Sequence, residues 1–189
     1  MRYVEIPNEE RHWQPHIVCF DNHLRSCIKD NCAADIGERL NNYRAFLSFA
    51  TLPIICSGYR DDRFTNIYWD APRGIVLAYK YFVNDRAEYR GIACIGFNIN
   101  ESTVHIRQIQ GARYRHEELA PLRWEKLLVK VVIEIAQRLE FKMVEILPAE
   151  KNEWLNLGNA SQLKLRYDVT AKRIGFKWNP QKQVYEYSL

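Results

Sequence analysis

Two positions in the C-terminal half of the sequence combine residue types that can do acid–base or anion chemistry. Glu145 stands inside the short apolar run Lys142 to Leu147. A carboxylate buried among apolar side chains has a raised pKa and is a candidate base, although an edge-facing or ion-paired glutamate fits the same pattern. Gly111 closes another apolar run and is followed by Arg113. The glycine can approach a phosphate or merely allow a turn, and the arginine can clamp an anion or lie in solvent.

A group of histidines and cysteines near the N-terminus could bind a metal ion. Its members are His16, Cys19, His23, Cys27 and Cys32. His16 and Cys19 have a spacing that suits zinc, but the order of the whole group fits no zinc pattern. Buried cysteines are common core residues. We therefore expect no metal site, and five cysteines in similar contexts indicate no single catalytic nucleophile.

The composition indicates one globular domain. The chain has 189 residues, of which 47% are hydrophobic and 13% aromatic, enough to fill a sizeable core. It contains no apolar run of signal-peptide length and none near the roughly 20 residues that cross a bilayer. An odd number of cysteines in such a chain suggests reduced thiols. We expect a soluble, cytoplasmic protein that does not bind membranes.

The positive charge is concentrated in the second half of the chain. The net charge is +4, and the first 100 residues hold 12 basic and 12 acidic side chains, so the excess lies beyond them. An anionic ligand or partner in this half is one interpretation. A solvated surface of mixed charge is the other.

Hydrophobic periodicity predicts the elements that position these residues. Helical spacing of apolar residues covers three segments, Ala33 to Phe49, Pro121 to Leu139 and Ser161 to Ile174, the last ending at Gly175 as C-cap. Runs rich in Ile, Val, Tyr and Phe predict strands at 64–69, 74–82, 91–100, 103–110, 142–147, 176–178 and 184–189. Residues 84–90 are predicted to form a loose hairpin turn. In the strand 103–110, simple alternation predicts Val104, Ile106 and Gln108 on one side, with His105, Arg107 and Ile109 on the other.

The order strand, loop, helix, strand, helix, strand, strand over the last 90 residues resembles the acyl-CoA-binding half of the GNAT N-acyltransferase superfamily. The segment Gln108 to Ala112 before the longest helix is similar to that family's pyrophosphate turn. Asn152, just after a strand, and the pair Gly175-Phe176 after the last helix are also similar. Where family members often have a tyrosine this chain has Ala171, and Tyr167 lies one helical turn earlier on the same face.

The resemblance implies an α/β (α+β) fold with a mixed, mostly antiparallel central sheet flanked by helices and a helical N-terminal extension. Residues 1–189 would form one domain, with a divergent part at 1–63 and the sheet and acyl-CoA-binding core at 64–189. Acetyl-CoA or another acyl-CoA would be held by residues of the turn and by the asparagine: Gln108, Ile109, Gln110, Gly111, Ala112, Arg113 and Asn152. Tyr167 and Glu145 would be the catalytic residues.

The leading functional hypothesis is therefore an acyl-CoA-dependent N-acyltransferase. Its acceptor would be an amine, on a small molecule or a protein, and a homodimer is an open alternative to a monomer. The second hypothesis is a GNAT-like binding or assembly module without catalysis, because the glycine-rich turn is incomplete. A nucleic-acid-associated protein ranks last, since a charge of +4 is small for that role.

Overall fold

The computed structural model describes residues 20–29, 40–49, 71, 73–112, 116–152, 155 and 160–189. Several predictions made from the sequence lie outside these residues. They are the strand at 64–69, the first part of the helix at 33–49, and the positions of Arg113, His16, Cys19 and Cys32.

Four helices occur in the described residues. They are α1 (Phe20–Ser26), the single turn α2 (His116–Leu119), α3 (Trp124–Arg138) and α4, which spans 160–174. Helix α4 is continuous but changes its winding: Ala160–Lys164 and Thr170–Ile174 are α-helical, and Leu165–Val169 between them is a π-helical turn. Gly175 ends α4 with φ of 106°, a left-handed conformation that glycine adopts without strain, as the sequence predicts.

Seven strands form one sheet in the described part of the chain. They are β1 (Tyr43–Phe49), β2 (Arg73–Val83), β3 (Arg86–Asn100), β4 (Thr103–Gly111), β5 (Met143–Ile146), β6 (Lys177–Asn179) and β7 (Val184–Ser188). The order across the sheet is β1-β2-β3-β4-β5-β7-β6. Strands β4 and β5 are parallel and every other neighbouring pair is antiparallel. The predicted mixed and mostly antiparallel α+β architecture is confirmed.

Strand β1 corrects the helix predicted up to Phe49. Residues Tyr43–Phe49 pair with β2, Tyr43 opposite Tyr79 and Phe49 opposite Arg73. The segment carries Tyr, Ala, Leu and Phe at every second position, so its apolar pattern fits a strand as well as a helix. The unpaired edge of β2 decides between the two, because a strand there completes backbone hydrogen bonds. The sheet therefore begins before residue 64.

The hairpin between β2 and β3 is tighter than predicted. Asn84 and Asp85 alone form the turn, with φ of 48° and 63°. Positive φ at both central residues is typical of the type I′ turn, which matches the twist of the flanking strands, and Asn and Asp tolerate it well. Strand β3 consequently begins at Arg86 instead of after residue 90.

A bulge in β4 corrects the predicted division of its side chains between the two faces. Phe97 lies opposite Ile106 and Gly96 lies opposite Gln108, so Arg107 is the extra residue. One extra residue reverses the alternation beyond it. Ile109 therefore joins Ile106 in the core, and Gln108 lies on the opposite face.

The core lies between α3 and one face of the sheet. Helix α3 buries residues on nearly all sides, including Leu127, Leu128, Val131 and Ile135, against apolar side chains of the sheet such as Ile95. Helix α4 packs on the same face and contacts α3. No described helix has the length and apolar character that crossing a membrane requires.

Candidate functional site

Strands β4 and β5 stop pairing before β4 ends. Their parallel register runs from Thr103 opposite Met143 to Ile106 opposite Ile146. One further hydrogen bond joins Leu147 N to Ile106 O at 3.3 Å. Among the strands that the structure describes, β4 continues to Gly111 paired with β3 alone, on its other side. Beyond Ile106, no described strand pairs with the edge of β4 that had faced β5.

The hydroxyl of Tyr167 reaches this edge from α4. It accepts a hydrogen bond from the Ile109 backbone N–H at 2.9 Å and donates to the Arg107 carbonyl at 3.4 Å. Tyr167 is 1% exposed, so the phenol replaces part of the missing strand pairing within the protein interior. The residue lies in the π-helical turn, where Thr170 Oγ1 donates to Leu165 O at 3.0 Å. Such turns are frequent at functional sites because they change which residues face a neighbouring element.

A cleft of about 770 Å³ opens beside the end of β4, at the start of α3. Gly111 and Ala112 form part of its wall. Its lining includes basic side chains from three regions of the chain: Lys29, Arg123, Lys126, Arg166 and Arg173, with His116 beside them. Among the described lining residues, Glu125 is the one acidic side chain. This charge distribution favours an anionic ligand.

Glu125 lies in the first turn of α3, where backbone N–H groups lack partners within the helix. Its carboxylate accepts a hydrogen bond from its own backbone N–H. Burial raises the pKa of Glu125 above its ordinary value, and the backbone bond and the nearby cations Arg166 and Lys29 partly oppose that rise. An internal carboxylate thus interacts with the same positive groups that an anionic ligand would use.

Gly111 lies directly against the start of α3. A Cβ at this position would lie 3.1 Å from Trp124 Cζ2 and 3.2 Å from Leu119 Cδ1. Both distances are shorter than ordinary carbon contacts. The guanidinium of Arg166 lies over the Trp124 ring, 5.7 Å from its centroid. A side chain at position 111 would therefore need the Trp124 and Leu119 side chains to shift by a few tenths of an ångström, so the glycine favours close packing of β4 on α3.

A group of four charged or ionisable residues lies on the face of the sheet opposite α3. His105 Nδ1 is 2.8 Å from Glu145 Oε2, and Lys182 Nζ is 2.9 Å from Glu145 Oε1. The same ammonium is 2.8 Å from Glu186 Oε1. Glu145 is thus a paired glutamate, and the Glu145 side chain is 8% exposed. We call these four residues the far-face group.

The predicted cofactor-binding residues fall into different places. Gly111 and Ala112 line the cleft, whereas Ile109 offers its backbone N–H at the gap between β4 and β5. Gln108 and Gln110 lie on the far face, with Gln108 Nε2 donating to Gln110 Oε1 at 2.8 Å.

Asn152 is buried and ends the short 3₁₀ turn Ala149–Lys151, which follows β5 in the chain. Arg113 lies outside the described residues.

Residues with larger roles in this arrangement were missed by the sequence analysis. Lys29, Arg166 and Arg173 supply the cleft with charge, yet in the sequence each is one basic residue among many. From the sequence, His105 was only one residue of an alternating strand, and Lys182 was not identified at all. A basic residue repeated after seven positions on one helix face, as in Arg166 and Arg173, is the signal that could have indicated the cleft.

Only part of the cysteine–histidine group can be compared with the structure. His23 Nε2 lies 2.6 Å from Glu134 Oε2, and Cys27 is fully buried. In the described part of the chain, no three His, Cys, Asp or Glu side chains converge in a way that could hold a metal ion.

Compared with protein-family models, curated protein sequences and solved structures, the chain matches none at a significant level.

Proposed function

We propose that this chain is an N-acyltransferase of the GNAT type, which binds an acyl-CoA and transfers its acyl group to an amine. The observation that carries the proposal is the parting of parallel strands β4 and β5 beyond Ile106 and Ile146. It leaves backbone groups of β4 next to a cationic cleft, with a phenol at the gap. The catalytic centre would be at the gap and the diphosphate in the cleft.

The diphosphate of CoA matches the cleft in charge. Five Lys or Arg side chains and the first turn of α3 surround it, and phosphates bind well to both kinds of group. Gly111 and Ala112 connect this cleft to β4, so a ligand bound by its phosphates at α3 would extend its arm along the open edge of that strand.

The thioester would lie beside Tyr167. Its carbonyl oxygen would accept the hydrogen bond of the Ile109 N–H in place of the phenol. The Tyr167 hydroxyl, released from that bond, would donate a proton to the leaving thiolate. Because Tyr167 is buried in α4, its hydroxyl would have to shift to admit the thioester carbonyl.

Binding of acetyl-CoA to the purified protein tests the first half of the proposal. We expect calorimetry to show saturable binding that weakens with salt, because the cleft recognises charge. Arg173→Gln should weaken binding by about tenfold, which corresponds to roughly 1.4 kcal/mol for one charge-assisted contact. Lys172→Gln is the matched control, since Lys172 is the neighbouring residue on α4 but lies near Tyr185 and outside the cleft lining. Equal losses in both variants, or no binding at millimolar acetyl-CoA, would reject the proposal.

A module that binds acyl-CoA or another anion without catalysis is the second candidate. The observation that favours it is that the Tyr167 hydroxyl already bonds strand β4 both as acceptor, from the Ile109 N–H, and as donor, to the Arg107 carbonyl. Single-turnover assays with acetyl-CoA and a panel of primary amines separate the two. Transfer to any amine supports the enzyme, whereas tight binding with no transfer supports the module.

A further inference from the structure

We propose that an anion entering the cleft at the start of α3 brings a proton with it, which Glu125 takes up. The inference rests on the proposed function only for the class of ligand, a dianion, since it concerns the cleft assigned to the diphosphate. It adds a regulatory property to that site, because binding that takes up a proton becomes tighter as the pH falls.

Glu125 brings a negative charge into a cleft whose other charges are positive. The ionisable side chains that line the cleft with it come from the segment after α1, from α2, from the start of α3 and from α4. They are Lys29, His116, Arg123, Lys126, Arg166 and Arg173. An anion that binds among these groups therefore lies close to the carboxylate as well.

The carboxylate of Glu125 is near these cations without being paired to one. It accepts a hydrogen bond from its own backbone N–H and forms no ion pair with any residue that the structure describes. Two of the nearby cations have other partners: Lys29 Nζ donates to the Ala120 carbonyl at 2.5 Å, and the Arg166 guanidinium lies over Trp124. Burial favours the protonated form of Glu125, whereas the backbone bond and the surrounding charge favour the ionised form.

A bound anion would shift this balance in one direction. Its charge repels the Glu125 carboxylate and offsets the cations that stabilise it, so both effects favour the protonated form. Because linkage is reciprocal, the protonated protein must then bind the anion more tightly than the ionised protein. A neutral carboxyl can also donate a hydrogen bond to an anion, which a carboxylate cannot do.

His116 is the other residue of the cleft whose charge could respond to pH. Lysine and arginine side chains are charged between pH 5 and pH 8, whereas histidine changes its charge in this range. His116 is exposed and is the one histidine among the described lining residues. A positive charge on His116 would also favour an anion, so the experiment has to separate its effect from that of Glu125.

The test measures the affinity for methanedisulfonate, which resembles a diphosphate and keeps both negative charges between pH 5 and pH 8. Calorimetry at low salt compares the unaltered protein with His116→Gln, Glu125→Gln and the double variant. We expect the affinity of His116→Gln to rise about threefold to tenfold from pH 8 to pH 5, and that of the unaltered protein to rise at least as much. Glu125→Gln resembles the protonated protein at every pH, so it should bind more tightly than the unaltered protein at pH 8. The double variant should show no pH dependence.

Proton uptake is a second readout, which a merely structural effect of the substitution would not produce. Calorimetry at one pH in two buffers with different ionisation enthalpies gives the number of protons that are bound with the anion. Between pH 5 and pH 8, His116→Gln should take up a fraction of a proton per methanedisulfonate, and the double variant should take up none.

Three results overturn the inference: no binding of methanedisulfonate, an affinity of His116→Gln that does not change with pH, or binding without proton uptake throughout this range. The proposed function is judged separately, with acetyl-CoA. Proton-linked binding of methanedisulfonate by a protein that does not bind acetyl-CoA would keep the inference and reject the function. Binding of acetyl-CoA by a protein that takes up no proton with methanedisulfonate would do the reverse.

Discussion

The phenolic oxygen of Tyr167 lies 2.9 Å from the backbone nitrogen of Ile109, at the place where strand β5 has already ended. A side chain from α4 thus completes hydrogen bonds that a neighbouring strand would otherwise provide. In the proposed reaction, the thioester carbonyl would take the place of the phenol at the Ile109 N–H.

Tyr167→Phe removes this hydroxyl and leaves the Ile109 N–H and the Arg107 carbonyl without that partner. We expect the free energy of unfolding to fall by about 1–3 kcal/mol, the usual consequence of leaving a buried polar group unpaired. We also expect acyl transfer to fall at least tenfold, because the thiolate loses its proton donor. Urea denaturation and single-turnover rates measure the two effects.

Tyr187→Phe is the control for that substitution. Tyr187 packs against Phe176 with ring centroids 5.2 Å apart, and its hydroxyl makes no hydrogen bond to any residue that the structure describes. The free energy of unfolding of Tyr187→Phe should differ from that of the unaltered protein by less than about 0.5 kcal/mol. Equal destabilisation of the two variants would contradict the role given to the Tyr167 hydroxyl.

Glu125→Gln should strengthen anion binding in the cleft. The Glu125 carboxylate lies among the cations that a diphosphate would use, so removing its charge removes an internal competitor. We expect the affinity for inorganic pyrophosphate, measured by calorimetry at low salt, to rise about threefold to tenfold. Glu117→Gln changes the same net charge at an exposed residue outside the cleft lining and should have a much smaller effect.

The raised pKa of Glu125 also predicts a pH dependence of stability. The folded state binds this proton more tightly than the unfolded chain, whose carboxyl titrates near 4.5. Stability contributed by this group is therefore greatest below pH 4.5 and is lost as pH rises through the higher folded pKa. Glu125→Gln should remove that loss, and urea denaturation of both proteins between pH 4 and pH 8 would show the difference. A parallel pH dependence in the two proteins would be inconsistent with burial as the cause.

Glu134 should show the opposite dependence. Burial raises its pKa, but the hydrogen bonds from Arg138 and His23 outweigh burial and hold the pKa of Glu134 below its ordinary value of 4.5. The stabilisation is then present above pH 4.5 and is lost as pH falls through the lower folded pKa. The free energy of unfolding of Glu134→Gln, measured by urea denaturation, should fall less steeply below pH 4.5 than that of the unaltered protein. Glu150→Gln is the control, because Glu150 is exposed, and it should keep the steep fall.

Gly175→Ala tests the end of α4. Gly175 has φ of 106°, and a Cβ there would meet no heavy atom within 4 Å, so the cost is conformational and not steric crowding by neighbours. We expect a loss of about 1–2 kcal/mol in the free energy of unfolding. Gly175→Asn should lose less, because asparagine adopts left-handed conformations more readily. A thermal melt in which alanine and asparagine behave alike would contradict this account.

The candidate site could be predicted only in part. Gly111, at the end of β4 and before α3, was identified from its position between two strongly patterned segments. The bulge at Arg107 was not predicted, because nothing in a run of alternating residues shows which residue will lack a partner on the neighbouring strand. This bulge is the reason that Gln108 and Gln110 lie on the far face while Ile109 faces the core and the gap.

Helix α3, the central parts of strands β2 to β5 and the end of α4 at Gly175 can be predicted from the residues alone, since strong periodicity and local backbone preference act within a few neighbouring residues. The pattern of Tyr43–Phe49 fits both a helix and a strand. Only pairing with the edge of β2, a tertiary contact, makes this segment a strand. The tertiary structure also decided the register that places His105 opposite Glu145 and the approach of Tyr167 to Ile109. These contacts join residues far apart in the chain, and their geometry depends on how whole elements pack, which no local pattern specifies.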